Sequence, residues 1–351
     1  MEILYIDIVS MPEHKVYNSG MLRALNRDNK ISICAAHGYV NKNEFNYIDY
    51  FEIPDKYVFA INKPKKHIQI IYRERTQRAY QWIKNNVPIH QYDVLWFSYT
   101  EPITFWLIFN KCDTPVIYCD HLISEIGNNK IKRWFFSHIN KKYTMLYFEK
   151  YIGDYLREGL NLKNPLYLIR HPLPIITSMS KPKQHMIFAP ANSNDESFIE
   201  YLIQNETRIP NNLKIIIRSK LREHNSDRLE VYSHRIPDEE YYSKMVSCAA
   251  VLINYGKDYN YRTSTVWLES LVCHKKCFMF CNNTMKYYLE EYSEIVVPFY
   301  SNAEFFERLE SWIKLTHEQN NDIFAKALDD YSDFTIHTQV ENVLRSIKKN
   351  E

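Results

Sequence analysis

A chain of 351 residues is long for a single core and sets an expectation of about two domains. With 45% hydrophobic and 25% charged residues it has the proportions of a globular protein, which excludes a disordered or fibrous chain. The formal net charge is only +2, too mild for dedicated nucleic-acid binding. Residues 1–150 hold 20 basic against 15 acidic side chains and the remainder 24 against 27, so an anionic partner or membrane surface belongs to the first half.

In chain order, Ile3–Val9 reads as a first strand, followed by a polar loop over Ser10–Gly20 and a helix from Met21. Ile31–Ala35 is a second strand, and the spacing of Ile71, Tyr80 and Ile83 predicts a helix over Ile68–Val87. Val94–Phe97, Pro115–Cys119, Tyr143–Phe148 and Leu166–Ile169 are further buried strands. Arg170–Gln184, with three prolines and a polar second half, reads as an interdomain linker. Alternation restarts with strands at Met186–Ala189, Leu213–Ile217, Leu229–Tyr232, Ala249–Ile253, Cys277–Phe280 and Ile295–Val297. Helices at Ser301–Leu315, Asp322–Asp329 and Thr335–Lys348 close the chain. Strands alternating with helices predict an α/β protein of two Rossmann-like halves. The expected domains are 1–170, a linker over 171–184, a second domain over 185–332, and a final helix over 333–351 that packs back on the first domain.

No signal-peptide pattern opens the sequence, and no apolar run approaches the ~20 residues needed to cross a bilayer. Seven cysteines without a C-x-x-C pair point to reduced thiols and a cytoplasmic protein. Cys273, Cys277 and Cys281 fall across a helix end and a strand, so their thiols would not converge on a metal. With six glycines there is neither G-x-G-x-x-G nor a Walker A sequence.

The most informative stretch is Val231–Phe280: a helix at Pro237–Ser247, a strand, a polar loop Asn254–Tyr261, a helix over Arg262–Val272, and another strand. A strand feeding a polar loop into a helix N-terminus suits phosphate, because free N–H groups and the positive end of the dipole face the anion. Glu269, about two turns inside that helix, is placed to accept hydrogen bonds from ribose hydroxyls. Thr263, Ser264 and Thr265 would offer N–H groups and hydroxyls to a diphosphate, although the same residues serve simple N-capping. Arg218 and Lys220, after the strand ending at Ile217, and Arg262 are candidates to stabilise a leaving diphosphate. Asn192 and Ser193, after the strand ending at Ala189, are further phosphate candidates.

On these residues the chain resembles the GT-B glycosyltransferases, especially retaining bacterial enzymes of polysaccharide and lipopolysaccharide synthesis. Tyr92–Trp96 resembles the family's D-V-V-H strand, Pro115–His121 its P-V-V-Y-T-x-H-D strand end, and Tyr167–Pro172 its V-I-P-N-G crossing. Ile187–Pro190 matches the opening strand of the donor domain. The resemblance implies two Rossmann-like domains facing a cleft, a nucleotide-sugar donor in the second and an acceptor in the first. It departs at one position. The family carries two glutamates eight positions apart; Glu269 matches the second, which binds ribose, but Tyr261 stands where the first would touch the donor sugar.

In the first half, Asp120 and His121 sit together after a strand as a candidate general acid/base pair, and His14 is an acceptor-side candidate. His171 reads as a hinge residue. Lys63–His67 and Lys130–Lys142, which mix cations with Trp134, Phe135 and Phe136, suit an anionic membrane surface. No D-x-D occurs, so positive side chains and a helix dipole, with no metal or other cofactor, are expected to meet the diphosphate. The resulting expectation is a metal-independent hexosyl- or deoxyhexosyltransferase acting on a glycan or lipid-linked glycan in O-antigen or capsule synthesis, at the inner face of the membrane. A GT-B nucleotide-sugar epimerase, or a degenerate member that binds a glycan or partner without turnover, are the alternatives.

Overall fold

In a computed structural model the structure describes all residues except 10–11, 41–43, 60–65, 177–185, 257–258, 282–284, 315–320 and 349–351. The chain divides into two units, residues 1–173 with 331–351, and residues 174–330.

The first unit is built on β1 (Glu2–Ile6), β2 (Lys30–Ala35), β3 (Tyr50–Glu52), β4 (Val94–Phe97), β5 (Val116–Cys119), β6 (Thr144–Tyr147) and β7 (Leu166–Leu168). They form a fully parallel sheet in the order β3-β2-β1-β4-β5-β6-β7, with Ile3 of β1 opposite both Ile31 and Val94. β1, β4 and β5 are apolar without alternation, as strands covered on both faces must be. The helices are α1 (Pro12–Leu25), α2 (Ile68–Asn86), α3 (Pro102–Phe109), α4 (Ile123–Asn128), α5 (Lys130–Ser137) and α6 (Lys150–Asp154).

The expected loop over Ser10–Gly20 is helical from Pro12 onward. Its polar residues misled the reading because one of them, Asn18, is turned inward: it accepts from Tyr5 Oη (2.7 Å) and donates to Asp7, while Tyr17 and Met21 fill the core beside it. Gly20 is required there, since a Cβ would lie 2.1 Å from Cβ of Pro172.

The second unit contains β8 (Met186–Ala189), β9 (Lys214–Arg218), β10 (His224–Asn225), β11 (Leu229–Tyr232), β12 (Ala250–Ile253), β13 (Cys277–Phe280) and β14 (Val296–Phe299). The sheet order is β10-β11-β9-β8-β12-β13-β14, parallel except for the short β10. Its helices are α7 (Glu196–Gln204), α8 (Asp238–Ser247), α9 (Thr265–Val272), α10 (Met285–Glu291), α11 (Asn302–Lys314) and α12 (Ala325–Asp330). Phe198, Leu202, Phe278, Phe305 and Trp312 form the centre of its core.

The last helix, α13 (Asp333–Lys348), belongs to the first unit. Ile336, Val340, Val343, Leu344 and Ile347 recur at helical spacing and are all buried in the core that holds Tyr17 and Met21. At about 2 kcal/mol for each such side chain, the stripe contributes roughly 10 kcal/mol of gross hydrophobic stabilisation. Where α13 begins, Arg170, Glu149 and Tyr331 form a buried ion pair and hydrogen-bond set. No helix among the described residues is long and apolar enough to cross a membrane.

Both sheets reverse strand order beside their first strand, at β1/β4 and at β8/β12. Loops leaving the carboxyl ends of strands diverge at such a point and leave a crevice where α/β proteins bind ligands.

Candidate functional sites in the two units

In the first unit, Asp7 and Ile8 follow β1, Ser98 and Tyr99 follow β4, and Asp120 and His121 follow β5. Asp7 is fully buried and lies 3.5 Å from His14 Nδ1, with His14 presented by the first turn of α1. Burial alone would raise the Asp7 carboxyl. The neighbouring His14, the Val9 N–H (2.9 Å) and the Asn18 amide outweigh it and hold Asp7 below the usual carboxylate range. The result is a buried carboxylate aimed at the ring nitrogen of a half-buried histidine.

His121 packs against the same histidine, with ring centroids 4.7 Å apart. It is framed by Tyr17 (4.9 Å) and Phe148 (4.7 Å). Its Nε2–H donates to the Ser98 carbonyl (3.0 Å), which leaves Nδ1 unprotonated. Burial, and then His14 and His171, push its pKa well down, so the ring is neutral at physiological pH. His171, two residues before the first unit gives way to the second, also lies in this aromatic cluster, 5.1 Å from Tyr17, with burial lowering its pKa to about 4.

Asp120 does not join His121. Successive residues leave a strand end toward opposite faces, and Asp120 turns to the other side. There it accepts from Leu122 N (2.7 Å) in surroundings set by Glu101, Glu125 and Lys132. Burial raises its carboxyl to about 7. The structure therefore separates the expected pair and gives the histidine cluster a different carboxylate, Asp7. The sequence signal for Asp7 was a lone acid ending the apolar run Ile3–Ile6, hidden because the strand was read through to Val9.

In the second unit, the loops after β8 and β12 are stitched together at the switch point. Asn194 bridges to Tyr255, and Asp195 N donates to the Asn254 carbonyl (2.8 Å). The Asn194 amide donates to the carbonyls of Ala189 (2.9 Å) and Arg218 (3.0 Å), tying the ends of β8 and β9. Asn194 is 5% exposed, yet its Oδ1 has no hydrogen-bond partner among the described residues. The same holds for Arg218 Nε, for the hydroxyl of Tyr232 (the register partner of Arg218) and for Thr263 Oγ1. These four polar atoms lie on the strand ends and loops along the carboxyl edge of the sheet, where a polar ligand would satisfy them.

The helices that follow the two strands of the switch point, α7 after β8 and α9 after β12, differ in charge at their N-termini. The first turn of α7 is occupied by its own acids: Asp195 caps it, and Glu196 accepts from Ser219 Oγ (2.7 Å) and Lys220 N (2.6 Å). The first turn of α9 holds no acid, so its dipole and N–H groups are the ones suited to an anion. This helix starts at Thr265 rather than Arg262, which places Glu269 little more than one turn inside it. Ser264 is its cap: the hydroxyl accepts from Trp267 N (3.1 Å) and meets Tyr255 Oη (2.7 Å). Thr265 is exposed at the first helical position, and Thr263 and Arg262 sit half-buried in the preceding turn. Arg262 lies over the Tyr259 ring (5.9 Å), and Tyr259 Oη donates to the Thr263 carbonyl (2.9 Å). Tyr261 has a left-handed φ of 58°.

Glu269 is half-buried, and Tyr241 of α8 donates its hydroxyl to it. Burial pushes the Glu269 carboxyl up to about 7, with the Tyr241 hydrogen bond acting in the opposite direction. Asn192 and Lys220 are exposed on the rim, and Ser193 offers its carbonyl to Gly256 N (3.3 Å). Sequence reading missed Asn194, Tyr232 and Tyr241, whose roles rest on contacts across strands and helices.

Solved structures align over almost the whole chain. HepE from Anabaena, in complex with UDP and glucose, is similar at a TM-score of 0.67 and 12% identity, covering 99% of this chain and 100% of that one. The lipopolysaccharide outer core galactosyltransferase WaaB in its apo form gives 0.59 at 12% identity, covering 99% of each chain. The UDP-forming α,α-trehalose-phosphate synthase from Burkholderia xenovorans, in complex with glucose-6-phosphate, gives 0.63 at 10% identity over 99% and 100%. No protein-family model and no curated protein matches the sequence. Likeness at such low identity defines the architecture: the chain has the GT-B fold, two sheets of parallel character flanked by helices with a C-terminal helix.

Proposed function

We propose that the protein is a glycosyltransferase that takes a sugar from a nucleoside diphosphate sugar and passes it to an acceptor hydroxyl. The observation that carries this reading is the set of unpartnered buried polar atoms of Asn194, Arg218, Tyr232 and Thr263 along the carboxyl edge of the second sheet, together with an α9 N-terminus free of acids. The complexes of HepE, which shares the fold, with UDP and glucose and with UDP-glucose support it. In this reading Glu269 accepts the ribose hydroxyls, and the α9 N-terminus with Thr263 and Thr265 binds the diphosphate. Arg218 and Arg262, with Lys220 and Asn192 on the rim, offset the negative charge that builds on the leaving group.

The acceptor belongs to the first unit. With Nδ1 turned toward the ionised Asp7, His14 has Nε2 left to take the proton of an acceptor hydroxyl. The acceptor oxygen bonds to the anomeric carbon as the bond to the diphosphate breaks, and Asp7 stabilises the imidazolium that results. This arrangement favours direct displacement with inversion, whereas the family resemblance alone points to retention. The neutral His121 is in place to orient the sugar or acceptor by hydrogen bonding through Nδ1.

A lipid-linked glycan of bacterial surface polysaccharide is the acceptor class we favour, with the protein at the cytoplasmic face of the membrane. On α5, Ile131 is 64% and Trp134 49% exposed, in the same stretch as the exposed cations Lys130, Arg133, Lys141 and Lys142. Phe136 of the same stretch is buried, so only part of the aromatic run faces outward. Lys63–Lys65 of the other basic segment lie outside the described residues.

Incubation with UDP-, GDP- and dTDP-sugars, with and without polyprenyl-linked glycan acceptors, tests the proposal through release of nucleoside diphosphate. We expect one donor to release it slowly, faster with acceptor, and not at all with Glu269→Ala. No release from any donor beyond that of a His14→Ala, Glu269→Ala double variant overturns the enzyme reading.

A further inference from the structure

On the first unit, at the contact between α1 and α13, three side chains outside both candidate sites bring metal-binding atoms together. His337 and Glu341 are four residues apart and so share one face of α13, while Asp28 lies in the turn after α1. Asp28 Oδ2 lies 3.1 Å from His337 Nε2, and the nitrogen and two carboxylate oxygens of the set lie within 4.8 Å of one another. We propose that His337, Glu341 and Asp28 form a divalent metal site of Zn2+ type that clasps the C-terminal helix to α1.

The second ring nitrogen of the histidine carries much of the argument. His337 Nδ1 lies 3.0 Å from the Ala24 carbonyl, an acceptor only, so Nδ1 holds the proton and Nε2 is turned toward the two carboxylates. Fixing one imidazole nitrogen on a backbone carbonyl is how proteins orient a histidine that ligates through the other. Glu341 is oriented in the same way by an outer partner: Asn29 Nδ2 donates to its Oε1 (3.3 Å) and to the Leu25 carbonyl (3.0 Å). The donors of a tetrahedral zinc site stand about 3.3 Å apart, given bonds of roughly 2.0–2.2 Å, so a small rotation of the Glu341 side chain closes the set.

Chemistry selects the metal. One neutral imidazole and two carboxylates supply two negative charges, matching a divalent cation. A hard ion such as Mg2+ would gain less, because it prefers all-oxygen ligands. Asp28 is 63% exposed at its side chain, which leaves room for water as a further ligand. The ligands come from both sides of the α1–α13 contact, so binding cross-links the last helix to the first and favours the folded unit.

Titration calorimetry of the full-length, chelator-treated protein with ZnCl2 alone tests this, alongside thermal unfolding. We expect one equivalent to bind and the first unit to melt at a higher temperature. His337→Ala and, separately, the milder Glu341→Gln each weaken that binding at least about tenfold, as loss of ligand geometry does elsewhere. The chain has seven cysteines, so zinc binding that survives both variants belongs to thiols and overturns the proposal. The absence of zinc binding by a folded wild type also overturns it.

Discussion

Glu269→Gln separates a binding role from a structural one more sharply than any other substitution in this molecule. Burial raises the Glu269 carboxyl from the ordinary 4.5 to about 7, so at pH 8 the folded protein must carry a charge it disfavours. For an acid raised in the folded state, that state binds more protons than the unfolded chain between the two values. Stability therefore falls as pH rises from about 4.5 to 7 and stays reduced above it. At about 1.4 kcal/mol per pKa step the cost reaches about 3 kcal/mol at pH 8, an upper bound because the side chain is half-buried. Glutamine keeps the shape and still accepts from the Tyr241 hydroxyl, but it carries no charge. The variant is expected to raise the melting temperature of the second unit by several degrees at pH 8 and to change it little at pH 5, taking roughly 2–4 °C per kcal/mol for a unit of this size. It should at the same time weaken nucleotide binding. Thermal unfolding at the two pH values, with and without nucleoside diphosphate, is the assay. Equal effects at pH 5 and 8, or destabilisation at pH 8, would refute the reasoning.

Three further outcomes follow from the geometry. Asp7→Asn removes the charge that orients His14 and should lower transfer by about 10²–10⁴-fold while leaving nucleotide affinity intact; unchanged turnover would remove His14 as the base. Gly127→Ala places a Cβ 2.1 Å from the Tyr155 hydroxyl and should cost about 1–3 kcal/mol in denaturant unfolding, with Tyr155→Phe recovering part of the loss. Trp134→Ala combined with Ile131→Ala should reduce sedimentation with vesicles containing phosphatidylglycerol but not with neutral vesicles; undiminished binding would move the membrane surface elsewhere.

Much of the architecture was legible because the central strands are apolar without interruption. β4, β8, β11 and β13 lie within a residue of where their Val, Ile, Leu and Phe runs predict them. The short edge strands β3 and β10 were not read, since three- and two-residue edges carry little pattern. α1 was misread at its start because buried Asn18 breaks the apolar period, and the energy for burying it comes from Asp7 and Tyr5, far away on β1 and its end. The same limit applied to the sites. Glu269 and Arg218 stood out by their positions after a helix start and a strand. Asp120 and His121 were adjacent in sequence and so read as a pair, although a strand end sends neighbours to opposite faces. Asp7, Asn194 and Tyr232 gain their meaning only from partners brought together by the fold.

Nucleoside diphosphate binding by titration calorimetry tests the central claim most directly. The account predicts that UDP, GDP or dTDP binds the wild type, that Arg218→Ala and Glu269→Ala each weaken it about tenfold or more, and that His14→Ala does not. A folded wild type that binds none of the three, or binding that survives both substitutions in the second unit, would contradict it.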